Sequence, residues 1–413
     1  MRSAQPLQPR VATYARILDA GGETLDRGLA VFFTAPHSYT GEDLLEVQLH
    51  GAPVIAHECL RAFIACGARL AEPGEFTRRA FLNGKMDLHA AGAVADLVNA
   101  ETRAAARAAL ANLDGGFAKE IATMRALLAP PLERLAGAID FPDEVREPSR
   151  AALRAQLEPL LERLQRLVRD GERGRLLREG CSVAIVGPPN AGKSSLLNAL
   201  LGIERAIVSE LPGTTRDTVE EVLAIEGVPV RLIDTAGIRA HADRLEAAGI
   251  ERTRRALDAA RVALIVLDGS APLGEDARAL VAATAGKDRV LFLNKADLGD
   301  LGGRELHPAG AIRGSVRDEP TIEALREAIA GAGWRGDAVE VDRPHLASLR
   351  EFDAAAEALE ALTAARDALD AREPLDFAAT EMHRAFSALG HVSERVAAEE
   401  VLDGIFSRFC IGK

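Results

Sequence analysis

The feature that most constrains the fold is a glycine-containing loop between an apolar run and a helical one. Residues 187–194 read Gly-Pro-Pro-Asn-Ala-Gly-Lys-Ser and match the pattern GxxxxGK[ST]. The apolar run 182–186 predicts a strand before the loop, and 195–201 predicts a helix after it. Backbone N–H groups of such a loop and the following helix N-terminus attract phosphate. We expect Lys193 to reach the β- and γ-phosphates of a nucleotide and the Ser194 hydroxyl to bind Mg²⁺.

The rest of the chain predicts a multidomain fold that combines α/β and all-α parts. Compact apolar runs at 182–186, 230–233, 262–267 and 289–293 are each followed by a loop or helix, as in a mostly parallel sheet. Apolar residues recur at helical spacing before and after this region. We therefore expect a P-loop domain at 179–335 inserted into a helical domain formed by 85–178 and 336–413. A small α/β domain at 1–84 precedes them. Prolines at 130–131 and 142 predict breaks between helices.

Residues 294–297 predict the base specificity of the nucleotide site. They read Asn-Lys-Ala-Asp and follow the predicted strand 289–293. The carboxylate of Asp297 can accept hydrogen bonds from guanine N1–H and its exocyclic amino group, whereas adenine lacks both of these donors. An unpaired buried carboxylate is costly, so we expect strong discrimination against ATP. We expect Lys295 to lie along the base plane and Asn294 to tie this loop to the phosphate loop. The candidate for a second base-contacting loop is Ser315-Val316-Arg317.

Two further segments predict elements that respond to the γ-phosphate. Asp234-Thr235-Ala236-Gly237 follows the run 230–233, so Asp234 is placed to hold Mg²⁺, directly or through water. Within Pro-Gly-Thr-Thr-Arg-Asp at 212–217, Thr215 is the expected contact to Mg²⁺ and the γ-phosphate. The next residue after the first segment is Ile238, whose aliphatic side chain cannot orient water. Hydrolysis must therefore use another group of this chain or of a partner.

Composition limits the partners and the compartment. The net charge of −12 excludes nucleic-acid binding by bulk electrostatics, so any such contact must be a local patch or come through a partner. Four scattered cysteines without a CxxC pair argue against a zinc site or a disulfide framework. No apolar run approaches the length of a membrane span, and the first residues lack a signal core. We expect a cytoplasmic protein.

The residues around these motifs resemble the bacterial tRNA-modification GTPase family MnmE, also called TrmE. The resemblance covers nearly the whole chain. It is carried by FFTAPHSYTGED at 32–43, PGEFTRRAFLNGKMD at 73–87, IDFPDE at 139–144, GPPNAGKSSLLNALLG at 187–202, PGTTRD at 212–217 and FCIGK at 409–413. Together these segments are far more specific than a P-loop alone.

The resemblance implies a function and a set of partners. Members of the family act with a flavoprotein partner, MnmG or GidA, which binds FAD. Together they install an aminomethyl or carboxymethylaminomethyl group on C5 of the wobble uridine of certain tRNAs. A folate such as 5-formyltetrahydrofolate binds the N-terminal domain, here residues 1–84, and the same domain holds the homodimer together. The G domains meet in the GTP state. A K⁺ ion replaces an arginine finger.

Roles for particular residues follow from the same resemblance. The K⁺ ligands of the family match Asn190, Ser209, Leu211 and Thr214. Glu246 matches the glutamate that orients the attacking water. The expected catalytic residues are Glu246, Lys193 and Thr215. Folate contacts match Glu46, Lys85 and Lys413, and Cys410 matches a cysteine of functional importance. The complete predicted GTP-binding set is Asn190, Ala191, Gly192, Lys193, Ser194, Ser195, Ser209, Glu210, Leu211, Pro212, Gly213, Thr214, Thr215, Asp234, Thr235, Ala236, Gly237, Asn294, Lys295, Ala296, Asp297, Ser315, Val316 and Arg317.

Family members begin several tens of residues before Met1, with the first strand of the folate domain and a folate-contacting arginine. We therefore expect the N-terminal domain of this chain to be incomplete. Without the resemblance, Glu246, Lys85 and Glu46 would be interpreted as solvated surface residues, and Cys410 equally well as a buried structural thiol.

Two other functions compete with tRNA modification. A regulatory or ribosome-assembly GTPase would bind RNA without modifying it, but no appended RNA-binding domain is visible in the sequence. A scaffold with a degenerate G domain is disfavoured by the intact Lys193, Ser194, Thr215, Asp234 and Asp297.

Overall fold

The computed structural model describes residues 2–3, 6–113, 115–141, 143–203, 221–233, 246–299, 310–334, 346, 349–393, 406 and 409. Within these ranges the chain forms a small antiparallel sheet, a bundle of long helices and a larger, mostly parallel sheet. This arrangement confirms the predicted multidomain combination of α/β and all-α parts. None of the helices in these ranges combines the length and the apolar character that crossing a membrane requires.

The first sheet contains four antiparallel strands in sequence order and is covered by one helix. Alternation along the strands directs Ala15, Ile17 and Ala30 toward Cys59 of that helix, where all four are buried. The opposite face of the sheet is exposed. The sequence predicted strands at 29–33 and near 44–49 and a helix at 54–65. The elements are β1 Arg2–Ser3, β2 Thr13–Leu18, β3 Thr24–Phe33, β4 Leu44–Gln48 and α1 Pro53–Ala65.

Helices then run without interruption by strands up to Glu179. They are α2 Glu75–Leu82, α3 Leu88–Val98, α4 Arg103–Leu113, α5 Gly116–Asp140 and α6 Arg150–Glu179. The predicted break at residues 130–131 is wrong, because both prolines lie inside α5. The stripe from Phe117 to Leu135 on this helix is fully buried, and that packing outweighs the backbone hydrogen bonds that proline removes. The helix does end at Asp140, one residue before Phe141.

The larger sheet carries the phosphate loop. Its six strands have the order β10-β9-β8-β5-β7-β6, and every pairing is parallel except that between β6 and β7. Helices lie between the strands, as the alternating sequence pattern predicted. The elements are β5 Cys181–Val186, α7 Lys193–Ile203, β6 Glu221–Ile225, β7 Val228–Ile233, α8 Glu246–Ala259, β8 Val262–Asp268, α9 Glu275–Ala283, β9 Arg289–Asn294, β10 Ile312–Arg313 and α10 Glu319–Trp334.

Two further helices return to the first helical region. These are α11 Leu349–Ala371 and α12 Leu375–Ser393, and they share one core with α5 and α6. The buried stripe of α11 is mainly alanine, including Ala355, Ala358 and Ala361. Small side chains let these helices approach closely, which agrees with the alanine-rich, aromatic-poor composition. The bundle is therefore assembled from two segments of chain with the larger sheet between them in sequence.

The chain leaves and re-enters the bundle at neighbouring points. A Cβ added to Gly171 of α6 would lie 2.5 Å from a side-chain carbon of Leu346, so the returning chain touches the helix from which it departed. The start and end of the inserted part also meet, because a Cβ on Gly333 would lie 2.9 Å from the Cys181 sulfur. Adjacent ends of this kind are what allow one domain to be inserted into another.

A buried ion pair joins the two halves of the bundle. The Nδ1 of His89 in α3 lies 3.1 Å from Oε1 of Glu351 in α11, and both side chains are almost completely buried. The His89 ring also stacks on Phe117 with 4.3 Å between ring centroids. Burial alone would lower the pKa of His89, but the charge and the hydrogen bond of Glu351 outweigh it and raise the pKa above the ordinary value.

We expect Glu351→Gln to destabilise the protein more at low pH than at high pH. Because the pKa of His89 is raised in the folded state, the stabilisation is fully present below its unfolded value of about 6.5 and is lost as pH rises through the folded value. The free energy of unfolding should fall by about 3 kcal/mol at pH 5.5 and by clearly less at pH 9. Urea titrations at both pH values measure this difference.

The matched control is Glu357→Gln, which removes an exposed carboxylate 3.2 Å from Arg384. It should cost less than about 1 kcal/mol at either pH. An equal loss for Glu351→Gln at pH 5.5 and pH 9 would contradict the assignment.

Candidate functional site

The phosphate loop connects β5 to α7 through backbone conformations that side chains rarely adopt. Gly192 has φ +98° and Asn190 has φ +61°. A Cβ on Gly187 would lie 2.1 Å from the carbonyl oxygen of Val266, so only glycine fits beside β8. The loop therefore brings successive N–H groups to the first turn of α7, whose N-terminus adds partial positive charge.

Lys193 is the first residue of α7 and folds back over the loop. Its Nζ donates hydrogen bonds to the carbonyl oxygens of Gly187 and Pro188, both at 2.7 Å. Burial lowers the pKa of Lys193 from its ordinary value. The ammonium group is thus held at the mouth of the loop, where a phosphate oxygen can replace part of its lost hydration.

Asn294 ties the phosphate loop to the loop that follows β9. Its side chain is buried, and its amide Nδ2 donates to the carbonyl oxygen of Ala191 at 2.9 Å. Its Oδ1 accepts the backbone N–H groups of Lys295 at 2.8 Å and Val316 at 3.2 Å. A Cβ on Gly192 would lie 2.2 Å from the same Nδ2. One side chain therefore fixes the spacing of three loops.

The residues after Asn294 form a short 3₁₀ turn, Ala296–Leu298. The Asp297 carboxylate is partly exposed and lies 3.9 Å from the guanidinium of Arg317. The neighbouring loop is tied to the same place, because the N–H of Ala296 donates to the carbonyl oxygen of Gly314 at 3.0 Å. The predicted base-reading loop and the predicted second loop are therefore adjacent in the structure.

Sequence reasoning missed Asp268, the last residue of β8. Its carboxylate accepts a hydrogen bond from Lys295 Nζ at 2.6 Å and is also held by the hydroxyl and N–H of Ser270. Burial raises the pKa of Asp268, but these hydrogen bonds outweigh it and keep the pKa below its ordinary value. Lys295 is left-handed, with φ +66°. One sequence signal could have identified Asp268. It is an acidic residue directly after the apolar run 262–267, and parallel strands place it at the same sheet edge as Asn294.

Other predicted nucleotide contacts lie around the first turn of α7 and at the start of α8. Ser194 and Ser195 lie exposed in the first turn of α7, and Asn190 is exposed at the tip of the loop. Glu246 begins α8, whose backbone alone is described there. The remaining predicted contacts lie outside the described residues: Ser209, Glu210, Leu211, Pro212, Gly213, Thr214, Thr215, Asp234, Thr235, Ala236 and Gly237.

The predicted folate residues lie in the N-terminal part. Glu46 is exposed in β4, where its Cα partner is Val31 of β3. The Nζ of Lys85 donates to the carbonyl oxygen of Pro36 at 3.0 Å, which ties the segment after α2 to the loop between β3 and β4. Lys413 and Cys410 lie outside the described residues.

Two aromatic residues near the sequence end pack on this N-terminal region. Phe406 and Phe409 are buried against Phe81 and Leu88. Gly74 has φ +67°, and a Cβ there would lie 3.0 Å from each of the two rings. The segment that carries the predicted functional tail is therefore anchored at α2 and α3.

The residues that the structure describes fit a nucleotide with its magnesium ion. The glycine positions leave a cradle that a Cβ would fill, the loop amides and α7 N-terminus suit phosphate, and Lys193 supplies a partly desolvated positive charge. The Ser194 hydroxyl is an oxygen ligand of the kind that Mg²⁺ prefers. The fold and the site together define a P-loop nucleotide-binding protein with a guanine-type base loop.

Comparisons with known proteins place the chain in one family. The MnmE helical domain model matches residues 88–410, and the GTP-binding protein TrmE N-terminus model matches residues 1–85. The tRNA modification GTPase MnmE of Azoarcus sp. is 45% identical over 98% of this chain and 90% of that protein. The Akkermansia muciniphila protein of the same name is 43% identical over the same shares. The chain belongs to the MnmE family of tRNA modification GTPases, which confirms the resemblance found in its motifs.

Among solved structures, the G domain of the T. maritima FeoB iron transporter covers 37% of this chain with 26% identity and a TM-score of 0.28. A TM-score this low carries no weight in the assignment.

We expect Asn294→Ala to weaken GTP binding by about 100-fold. The substitution leaves the carbonyl of Ala191 and the N–H groups of Lys295 and Val316 without their shared partner, at about 1 kcal/mol each. Titration of a fluorescent GTP analogue measures the change. Asn99→Ala, at an exposed position after α3, is the matched control and should leave the affinity unchanged. Wild-type affinity in Asn294→Ala would show that the loops hold their spacing without it.

Proposed function

We propose that this chain hydrolyses GTP as an enzyme of tRNA wobble-uridine modification, in which a C5 aminomethyl or carboxymethylaminomethyl group is installed. The supporting observation is that a phosphate loop and a guanine-type base loop are joined by Asn294 in a chain aligned with MnmE proteins over 98% of its length. An isolated P-loop would support only nucleotide binding. The full-length family match adds the tRNA substrate.

In this proposal the three loops divide the recognition of GTP. Asp297 accepts the N1–H and amino hydrogens of guanine, and Lys295 lies against the base while Asp268 holds its Nζ. Lys193 and the loop amides bind the phosphates. Ser194, Thr215 and Asp234 would hold Mg²⁺, which neutralises charge on the phosphates when bound.

The same proposal assigns hydrolysis to residues other than the one after Gly237. Ile238 cannot orient water. The family resemblance assigns that role to Glu246, at the start of α8, and the contact to the γ-phosphate to Thr215. Asn190, Ser209, Leu211 and Thr214 would hold K⁺, which supplies the positive charge that an arginine finger supplies elsewhere. Asn190 is exposed and has a left-handed backbone, which suits a residue that contributes to a K⁺ site completed when two G domains meet.

The wider assignment follows the family. It includes a homodimer, a flavoprotein partner of the MnmG type, and a cytoplasmic location. A folate one-carbon carrier would contact Glu46, Lys85 and Lys413, with Cys410 nearby in sequence. The anchoring of Phe409 on α2 supports this placement, because Cys410 is the next residue along the chain. Domain boundaries at 84, 178 and 335 complete the proposal, and the adjacent ends at Cys181 and Gly333 support the last two.

Deletion of the gene should abolish the modified wobble nucleosides of the tRNAs that carry them. Wild-type chain should restore them, whereas Lys193→Ala should not, because the phosphates lose their positive partner. Arg169→Gln, an exposed substitution on α6, should restore them fully. Mass spectrometry of digested tRNA gives the measurement. Unchanged nucleosides in the deletion strain would instead favour a regulatory or ribosome-assembly GTPase.

Potassium should stimulate hydrolysis. We expect the turnover of GTP at equal ionic strength to be at least about tenfold higher in KCl than in NaCl, since removal of one charge-stabilising group costs about 10²–10³ in rate. Asn190→Ala should remove most of the difference while retaining GTP binding. Phosphate release under saturating GTP measures both. Equal rates in the two salts would exclude the K⁺ role.

A further inference from the structure

A lysine of the base loop is held from the neighbouring strand. Lys295 follows β9, and its Nζ lies 2.6 Å from Oδ2 of Asp268, the last residue of β8. The two strands are parallel, and Asp268 is the Cα partner of Asn294, the residue before Lys295. The lysine side chain therefore extends from the end of β9 to the end of β8, at the edge of the sheet where folds of this kind bind nucleotides.

Asp268 is itself held in a defined orientation. Its Oδ1 accepts hydrogen bonds from the hydroxyl of Ser270 at 2.6 Å and from the N–H of the same residue at 3.0 Å. The backbone supports this turn, because the N–H of Gly269 donates to the carbonyl oxygen of Asn294 at 2.8 Å. One carboxylate oxygen is thus committed to Ser270, and the other is directed at Lys295.

Strand β8 lies between the strands that carry the phosphate loop and the base loop. The sheet order runs from β9 through β8 to β5. The phosphate loop packs on β8 at Val266, whose carbonyl oxygen would lie 2.1 Å from a Cβ on Gly187. Asp268 is two residues further along the same strand. A nucleotide that spans both loops passes over this strand end.

The ion pair restricts the lysine more than it stabilises the fold. The side chains of Lys295 and Asp268 are 29% and 33% exposed, and ion pairs at such exposure add little to folding stability. The other end of the lysine is fixed as well, since its N–H donates to Asn294 Oδ1 at 2.8 Å and its φ is +66°. With both ends held, the methylene stem of Lys295 offers a fixed apolar surface to a flat ring.

We infer that Asp268 is a positioning residue for the purine ring. It holds the Lys295 ammonium so that the methylene stem lies along the face of the base, while Asp297 accepts hydrogen bonds from its edge. The two carboxylates then have separate tasks. Asp268 sets how tightly a purine is held, and Asp297 sets which purine is selected. This inference rests on the proposed function, which places the base beside Lys295.

Asp268→Asn should raise the KM for GTP about tenfold and change kcat less than about twofold. Because Oδ1 is committed to Ser270, the new amide turns its N–H donors toward the Lys295 ammonium and no longer holds it. Phosphate release by the full-length chain in magnesium and potassium measures both constants. Asp268→Glu keeps the charge and should recover most of the affinity. The matched control is Asp288→Asn, at the exposed residue before β9 and the opposite sheet edge, which should leave KM unchanged.

Calorimetry with GDP and inosine diphosphate separates the tasks of the two carboxylates. Hypoxanthine presents a similar ring face but lacks the exocyclic amino group that Asp297 is expected to bind. Asp268→Asn should therefore weaken both nucleotides about tenfold and leave the ratio of their affinities within about twofold of wild type. In a Lys295→Met background, which keeps an apolar stem without the ammonium, Asp268→Asn should change GDP affinity less than about twofold.

Four results would overturn the inference. They are a wild-type KM in Asp268→Asn, a fall of kcat and thermal midpoint together with the rise in KM, a changed ratio of GDP to inosine diphosphate affinity, and a full effect of Asp268→Asn in the Lys295→Met background. The second would make Asp268 a structural residue, and the last would mean that it contacts the nucleotide itself.

Failure of the proposed function is distinguishable from failure of this inference. If the wild type binds GTP and ATP equally while Asp268→Asn weakens both, the positioning role stands and guanine selection falls. If the wild type selects GTP and Asp268→Asn binds it as tightly, the positioning role alone falls.

Discussion

The nucleotide site depends on a buried side-chain amide at the end of β9. Asn294 donates to the phosphate loop through Ala191 and accepts from the two loops expected to surround the base. Because it is 1% exposed, each of these hydrogen bonds forms away from competing water. Asn294 lies at the end of a strand and packs against Gly192. The pairing of the parallel strands therefore sets the distance between the phosphate loop and the base loop.

The same sheet is attached to the bundle at the turn between β6 and β7. The Thr102 hydroxyl donates to the carbonyl oxygen of Gly227 at 2.7 Å, and Arg231 of β7 lies 3.0 Å from Glu101. Strand β7 ends at Ile233, directly before Asp234 in sequence. Strand β7 therefore contacts the helices through Arg231 and ends directly before the predicted magnesium residue in sequence.

Most of the fold could be predicted from the sequence, because apolar runs and loop motifs are determined by residues that are neighbours along the chain. The apolar runs at 182–186, 262–267 and 289–293 became central strands, and the phosphate loop lies between a strand and a helix as expected. Where tertiary packing decides, sequence reasoning failed. Pro130 and Pro131 sit inside a helix because the bundle buries its stripe, and His89 meets Glu351 across 262 positions of sequence, beyond any periodicity. Asp268 was missed because an acid after a strand has no distinctive spacing.

Selection of guanine is the central property of this site. The most direct measurement is the affinity of the purified full-length chain for GTP and for ATP, by calorimetry in the presence of magnesium and potassium. The account predicts that GTP binds at least about a hundredfold more tightly, because adenine leaves the Asp297 carboxylate without its two donors. Equal affinity for the two nucleotides would contradict it.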